Sequence, residues 1–81
     1  MQTYEVTVTN NGWTLIAENE DYFMQNIGNG KVRVKAGDVV PADDLGAFVM
    51  DNGDVLSQIL VTGTVWAKAD TSTDVAVSVT K

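Results

Sequence analysis

Three acidic groupings are the first places in this 81-residue sequence to look for chemistry. Asp43-Asp44 and Glu20-Asp21 offer paired carboxylates. Such a pair does acid–base work on a glycosidic bond only when the two groups face each other across a formed cleft. A chain this short has little room for one, and exposed Asp and Glu are ordinarily just solvated. Asp51-Asn52-Gly53-Asp54 clusters oxygens of the kind hard cations prefer. Its spacing is not that of an EF-hand loop, no bidentate Glu follows, and Asn-Gly is the usual composition of a tight turn. Gly28-Asn29-Gly30 is only superficially like a phosphate loop, because the Lys-Ser/Thr and the helix that should follow are missing.

The sequence contains no His and no Cys. No Ser-His-Asp or Cys-His nucleophile can be assembled, and neither thiolate metal sites nor disulfides can form. The commonest general base is absent as well. These exclusions predict a protein that is not an enzyme, with no catalytic, cofactor-binding or metal-binding residue and no cofactor.

Five basic side chains against eleven acidic ones give a net charge of −6 and a pI of about 4.1. Such a chain repels phosphate backbones, so no nucleic-acid partner is expected. Three of the cations, Lys31, Arg33 and Lys35, point outward from one strand. They read either as a docking site for an anionic partner or as a solvated face whose Lys residues guard an edge strand. Trp13 and Trp66 are the bulkiest residues, and with Tyr22 they could stack on sugar rings or anchor an interface. Trp66 lies on the Thr64-Trp66-Lys68 face, at a sheet margin or a subunit contact.

The elements that must position these groups show a period of two, the mark of half-buried strands. Strands are expected at residues 4–9, 13–17, 22–27, 31–35, 46–50, 64–69 and 74–80, with one strand or two short ones in 55–62. A helical turn near Leu56-Ser57-Gln58 is the alternative there. Turn chemistry separates the strands at Asn10-Asn11-Gly12, Gly28-Asn29-Gly30, Asp51-Asn52-Gly53-Asp54 and Asp70-Thr71-Ser72-Thr73. The pair flanking Gly28-Asn29-Gly30 is the strongest hairpin signal. Residues 36–44 form the longest loop and hold the only Pro.

This spacing predicts one all-β domain over residues 1–81, a small antiparallel β-sandwich or barrel, jelly-roll-like, of seven to eight short strands. The expected inward residues are Tyr4, Val6, Val8, Leu15, Val32, Val34, Val49, Ile59, Val61, Val65, Val75, Val77 and Val79. Phe23, Met24, Phe48 and Met50 either complete that core or supply an oligomer interface. The start, Met1-Gln2-Thr3-Tyr4-Glu5, lacks the basic and apolar regions of a signal peptide. The apolar runs are too short to cross a bilayer, so no membrane partner is expected.

Gln25-Asn26-Ile27-Gly28 followed by Val32-Arg33-Val34, then Gly63-Thr64-Val65-Trp66-Ala67-Lys68 and Val75-Ala76-Val77-Ser78-Val79-Thr80, together resemble small virion proteins of tailed bacteriophages, of the head-decoration or accessory type. The resemblance covers most of the chain, and its motifs are structural. It implies a β-sandwich or barrel-like subunit, often trimeric, that reinforces an icosahedral shell or a tail. No functional residue carries over. The expected partners are further copies of the chain, a trimer foremost, and the major capsid protein or another virion protein. The expected location is the virion, assembled in the host cytoplasm. The alternative is a glycan-binding β-sandwich module that uses exposed aromatics.

Overall fold

Valines at every second position set the strands, because branched side chains pack well on a pleated surface. Val75, Val77 and Val79 are almost completely inaccessible, while Ala76, Ser78 and Thr80 between them stay half-exposed. The computed structural model describes residues 1–81. It contains eight strands and no helix: β1 (Thr3–Val8), β2 (Thr14–Glu18), β3 (Phe23–Asn26), β4 (Val32–Ala36), β5 (Phe48–Met50), β6 (Val55–Ser57), β7 (Thr64–Ala69) and β8 (Val75–Thr80).

The strands form two four-stranded sheets, ordered β1-β8-β3-β6 and β2-β7-β4-β5. β1 pairs with β8, β2 with β7, β3 with β6 and β4 with β5, all antiparallel. The chain is thus one long hairpin, folded at residues 37–47 and rolled so that alternate pairs fall in opposite sheets. Two further antiparallel pairings, β3 with β8 and β4 with β7, close the roll. Eight strands rolled into two sheets in this way make a jelly roll, and the sandwich leaves β1, β6, β2 and β5 as edges.

This topology corrects the hairpin expectation. β3 and β4, on either side of Gly28-Asn29-Gly30, lie in different sheets and do not pair. The only neighbours in sequence that do pair are β4 and β5, across the longest loop. Gly28 and Gly30 do not supply a left-handed turn either; the glycines with positive φ are Gly46, Gly53 and Gly63. They are small because β8 comes close. A Cβ on Gly28 would lie 2.7 Å from Val75 Cγ1, and one on Gly30 would lie 2.8 Å from Val75 Cγ2.

Fifteen buried side chains from both sheets form one core. Seven of the expected inward residues belong to it: Val8, Val32, Val34, Val65, Val75, Val77 and Val79. Val6 and Val61 pack against it. The other four are exposed, for separate reasons. Leu15 is displaced by a bulge in β2 between Leu15 and Ala17, which buries Ile16 and Ala17 side by side and turns Leu15 outward opposite Trp66. Val49 sits opposite Arg33, on the outer face. Tyr4 faces inward opposite Val79 but lies on an edge strand. Ile59 is 83% exposed, because β6 ends at Ser57 and one helix-like turn follows, in which the Ser57 carbonyl accepts from Leu60 and Val61. Met24 and Met50 complete the core, whereas Phe23 and Phe48 remain partly exposed.

Asn26 is the one fully buried polar side chain. Its Nδ2 donates to the carbonyls of Gly30 at 2.8 Å and Met50 at 2.9 Å, and its Oδ1 accepts from the Gly28 amide at 3.0 Å. Its backbone also exchanges bonds with Asp54 and Gly53. One side chain thereby links the β3 end of one sheet to the β5 end of the other. Replacing Asn26 with Ala strands three polar groups at about 1–3 kcal/mol each. Asn26→Ala should therefore lower chemical-denaturation stability by at least about 3 kcal/mol, a large part of what a domain this size has.

Tyr22 is 2% exposed, and its hydroxyl donates to the Val61 carbonyl at 2.8 Å. Burial pushes its pKa up to about 12 from 10.0. A folded state that holds the proton more tightly than the unfolded one is fully stabilised below the unfolded pKa and loses that stability as pH rises through the folded one. Melting temperature should therefore fall between pH 10 and about 12. Tyr22→Phe should flatten that fall, at a cost of about 1 kcal/mol near neutrality for the lost hydrogen bond.

Candidate functional site

The outer face of the 2-7-4-5 sheet gathers the charged and aromatic residues singled out in the sequence. Lys68 Nζ lies 5.8 Å from the Trp13 ring centre and 3.1 Å from Asp44 Oδ1. Beside it, Arg33 Nε pairs with Asp70, and Arg33 Nη1 approaches Asp44 at 3.8 Å. Lys35 meets Asp43 at 3.3 Å. The Trp66 indole donates to the Gly37 carbonyl at 2.9 Å. The face is a set of ties that holds the 37–47 loop against its own sheet.

The three cations do lie on an outward, solvent-facing surface, but the docking and edge-guarding parts of the two readings are corrected. Lys31, Arg33 and Lys35 each face a carboxylate of their own chain, Lys31 reaching Asp51 at 3.8 Å, so they do not form a free docking site for an anion. Nor do they guard an edge, because β4 lies between β7 and β5. The hydrogen bond and the charge of Asp70 push the Arg33 pKa higher still.

The acidic candidates are ties as well. Asp43 accepts from the Leu45 amide at 3.0 Å and from Lys35. Glu20 accepts the Glu18 amide at 2.9 Å and faces Lys81 at 3.6 Å. Asp54 accepts the Asp51 amide at 2.8 Å, closing the turn at Gly53. No three acidic side chains converge where a metal ion could be held. Among the aromatic platforms, Tyr22 is in the core and unavailable for stacking.

All five cations are paired internally, with Asp51, Asp44, Asp70, Asp43 and Glu20. Six of the eleven carboxylates have no such cation: Glu5, Glu18, Asp21, Asp38, Asp54 and Asp74. The side-chain charge left without an ionic partner is therefore wholly negative.

The two ends of the sandwich differ. The turns at residues 9–13, 27–31, 51–54 and 70–74 share one end and are short and mostly polar. Between residues 28–30 and Thr71, Thr73 and Asp74, that end has an open groove of about 430 Å³. It presents a single carboxylate, that of Asp74, and Ala76 is its one hydrophobic lining residue. The opposite end carries residues 19–22, 37–47 and 58–63, and there Val39, Val40, Ile59 and Leu60 are 54–83% exposed. Leu45, farther along the 37–47 loop, is 78% exposed. Three of the unpaired carboxylates, Glu18, Asp21 and Asp38, stand at this end. The sequence signal for this surface is the apolar pairs Val39-Val40 and Ile59-Leu60 set inside turn-rich segments. Counting Ile59 as a core residue hid half of it.

The Leu45 amide first, and then Lys35, hold Asp43 ionised below the usual carboxylate range. A depressed folded pKa contributes stability above the unfolded value, and that stability is lost as pH falls through the folded one. Proteolytic cleavage within residues 37–47 should therefore stay slow down through the ordinary carboxylate range and accelerate below it. Asp43→Asn, which keeps an acceptor for the Leu45 amide but loses the charge facing Lys35, should raise the rate modestly at neutral pH and remove the acceleration in acid.

No family model, no curated protein and no solved structure matches this chain.

Proposed function

We propose that this chain is a structural protein of a tailed-bacteriophage virion, a capsid decoration protein that acts through contacts and carries no catalytic activity. It would act as a homo-oligomer, a trimer foremost, seated on the major capsid protein or another virion protein after assembly in the host cytoplasm. The observation that carries this reading is the lopsided surface. Val39, Val40, Ile59 and Leu60 are exposed aliphatic side chains of two loops at the same end of the sandwich, and apolar side chains gathered into a patch would suit a contact site. The resemblance of the strand motifs to virion proteins points the same way. So does the jelly roll, which recurs in viral capsid domains, as an analogy of fold alone. The wholly negative unpaired side-chain charge suits a basic shell surface and disfavours nucleic acid.

The alternative glycan-binding role would rest on Trp13 and Trp66, which lie beside Lys68 on the outer sheet face. Lectin domains also use jelly rolls. A saccharide that quenches tryptophan fluorescence would favour that role.

The virion reading predicts a stable oligomer by light scattering and co-sedimentation with phage heads stripped of accessory proteins. Ile59→Ser combined with Leu60→Ser should abolish retention on the heads while shifting stability by no more than about 0.5 kcal/mol, as exposed sites do. A stable monomer that no head retains would overturn the reading.

A further inference from the structure

Four strands lie at sheet edges, and three of them are protected. β5 and β6 are three residues each, and β2 is broken by its bulge. Short strands and bulges are the usual defences against pairing with another chain. β1 has none of them. It runs six residues in unbroken register with β8, without Pro, Lys or bulge.

The ladder shows which groups β1 leaves free. Gln2 and Lys81 exchange two backbone bonds at 3.0 Å. Bonded and unbonded pairs alternate in an antiparallel ladder. Tyr4, Val6 and Val8 therefore bond to β8, and Thr3, Glu5 and Thr7 direct their N–H and C=O groups away from it, into solvent. All three of these residues are exposed.

The side chains specify what fits. On the inner face Tyr4 is 41% exposed and Val6 is only partly covered, so an added strand would lay apolar residues beside them. On the outer face Glu5 is the only charge on the strand and has no cation within 4 Å. An added strand would place a Lys or Arg next to it. In a second copy every Lys and Arg side chain is already paired internally, and six unpaired carboxylates come with it.

We infer that the β1 edge accepts an extended segment of a different protein, alternating apolar and basic residues, as a fifth strand of the 1-8-3-6 sheet. Backbone bonds to Thr3, Glu5 and Thr7 would supply affinity, and the side-chain alternation would supply specificity, as in strand addition generally. The inference rests on the edge alone and is independent of the virion reading.

The test uses the intact chain, isotope-labelled for nuclear magnetic resonance, with a blocked peptide Val-Lys-Val-Thr-Val and its counterpart bearing Glu in place of Lys. The Lys peptide should shift the amide signals of β1 and slow hydrogen exchange at Thr3, Glu5 and Thr7. It should bind about threefold to fivefold more tightly than the Glu peptide, the range of a cross-strand ion pair. Glu5→Lys should reverse that order. Glu5→Pro removes an N–H that β8 does not use, a position where edge strands tolerate Pro, and should weaken binding about tenfold. If Glu5→Pro does not fold, the exchange rates and Glu5→Lys decide. Three results would overturn the inference: no binding, shifts confined to the apolar loop end, or slowed exchange at the same amides when the protein is concentrated without peptide, which would assign the edge to a second copy.

Discussion

The structure depends on pairing between the two halves of the chain. β1 to β4 each find a partner in the second half, from Thr3 opposite Thr80 at one extreme to Val34 opposite Phe48 near the fold point. Every other feature follows from this nesting. Rolling the doubled chain sends neighbours in sequence to opposite sheets, so the short turns bridge the layers and do not close hairpins. Few contacts are local, and closing such long loops costs entropy before packing repays it. The fold therefore needs fixed points, and Asn26 is the clearest. It joins the end of β3 to the end of β5 through three hydrogen bonds in a fully buried site.

The polar chemistry of the chain is largely spent on holding this shape. No buried side-chain nitrogen or oxygen lacks a partner. Every cation faces a carboxylate, and the Asp43-Asp44 pair ties the longest loop to the outer face of its own sheet. Exposed ion pairs contribute little each, so their main effect is to fix where the loop lies. What remains is six carboxylates without a cation, several exposed aliphatic side chains at one end and the open backbone of β1. These are means of contact, and they are the reason the proposals concern partners.

Much of the fold was legible in the sequence because a period of two survives wherever a strand has one buried face. β7 appears over the expected residues, and β8 lies within its expected span. Two kinds of information were not local. Sheet membership depends on pairing across the whole chain, so Gly28-Asn29-Gly30 carried a hairpin signal although its glycines serve close approach to Val75. Register inside a strand can also be broken by one residue, as the bulge that buries Ile16 and exposes Leu15 shows. For the site, Asn26 looked like an ordinary polar strand residue, since nothing nearby in sequence reveals that Met50 and Gly30 offer carbonyls to it. The internal pairing of the basic strand was hidden likewise, because Asp70 and Asp44 reach Arg33 only once the roll has closed.

The central functional claim is that this chain belongs to an assembled particle. Mass spectrometry of density-purified particles, from any phage whose genome proves to encode this chain, tests that most directly. A decoration protein should be present at a copy number in simple proportion to the major capsid protein. Its absence from intact particles, with the chain found free in the lysate, would contradict the claim.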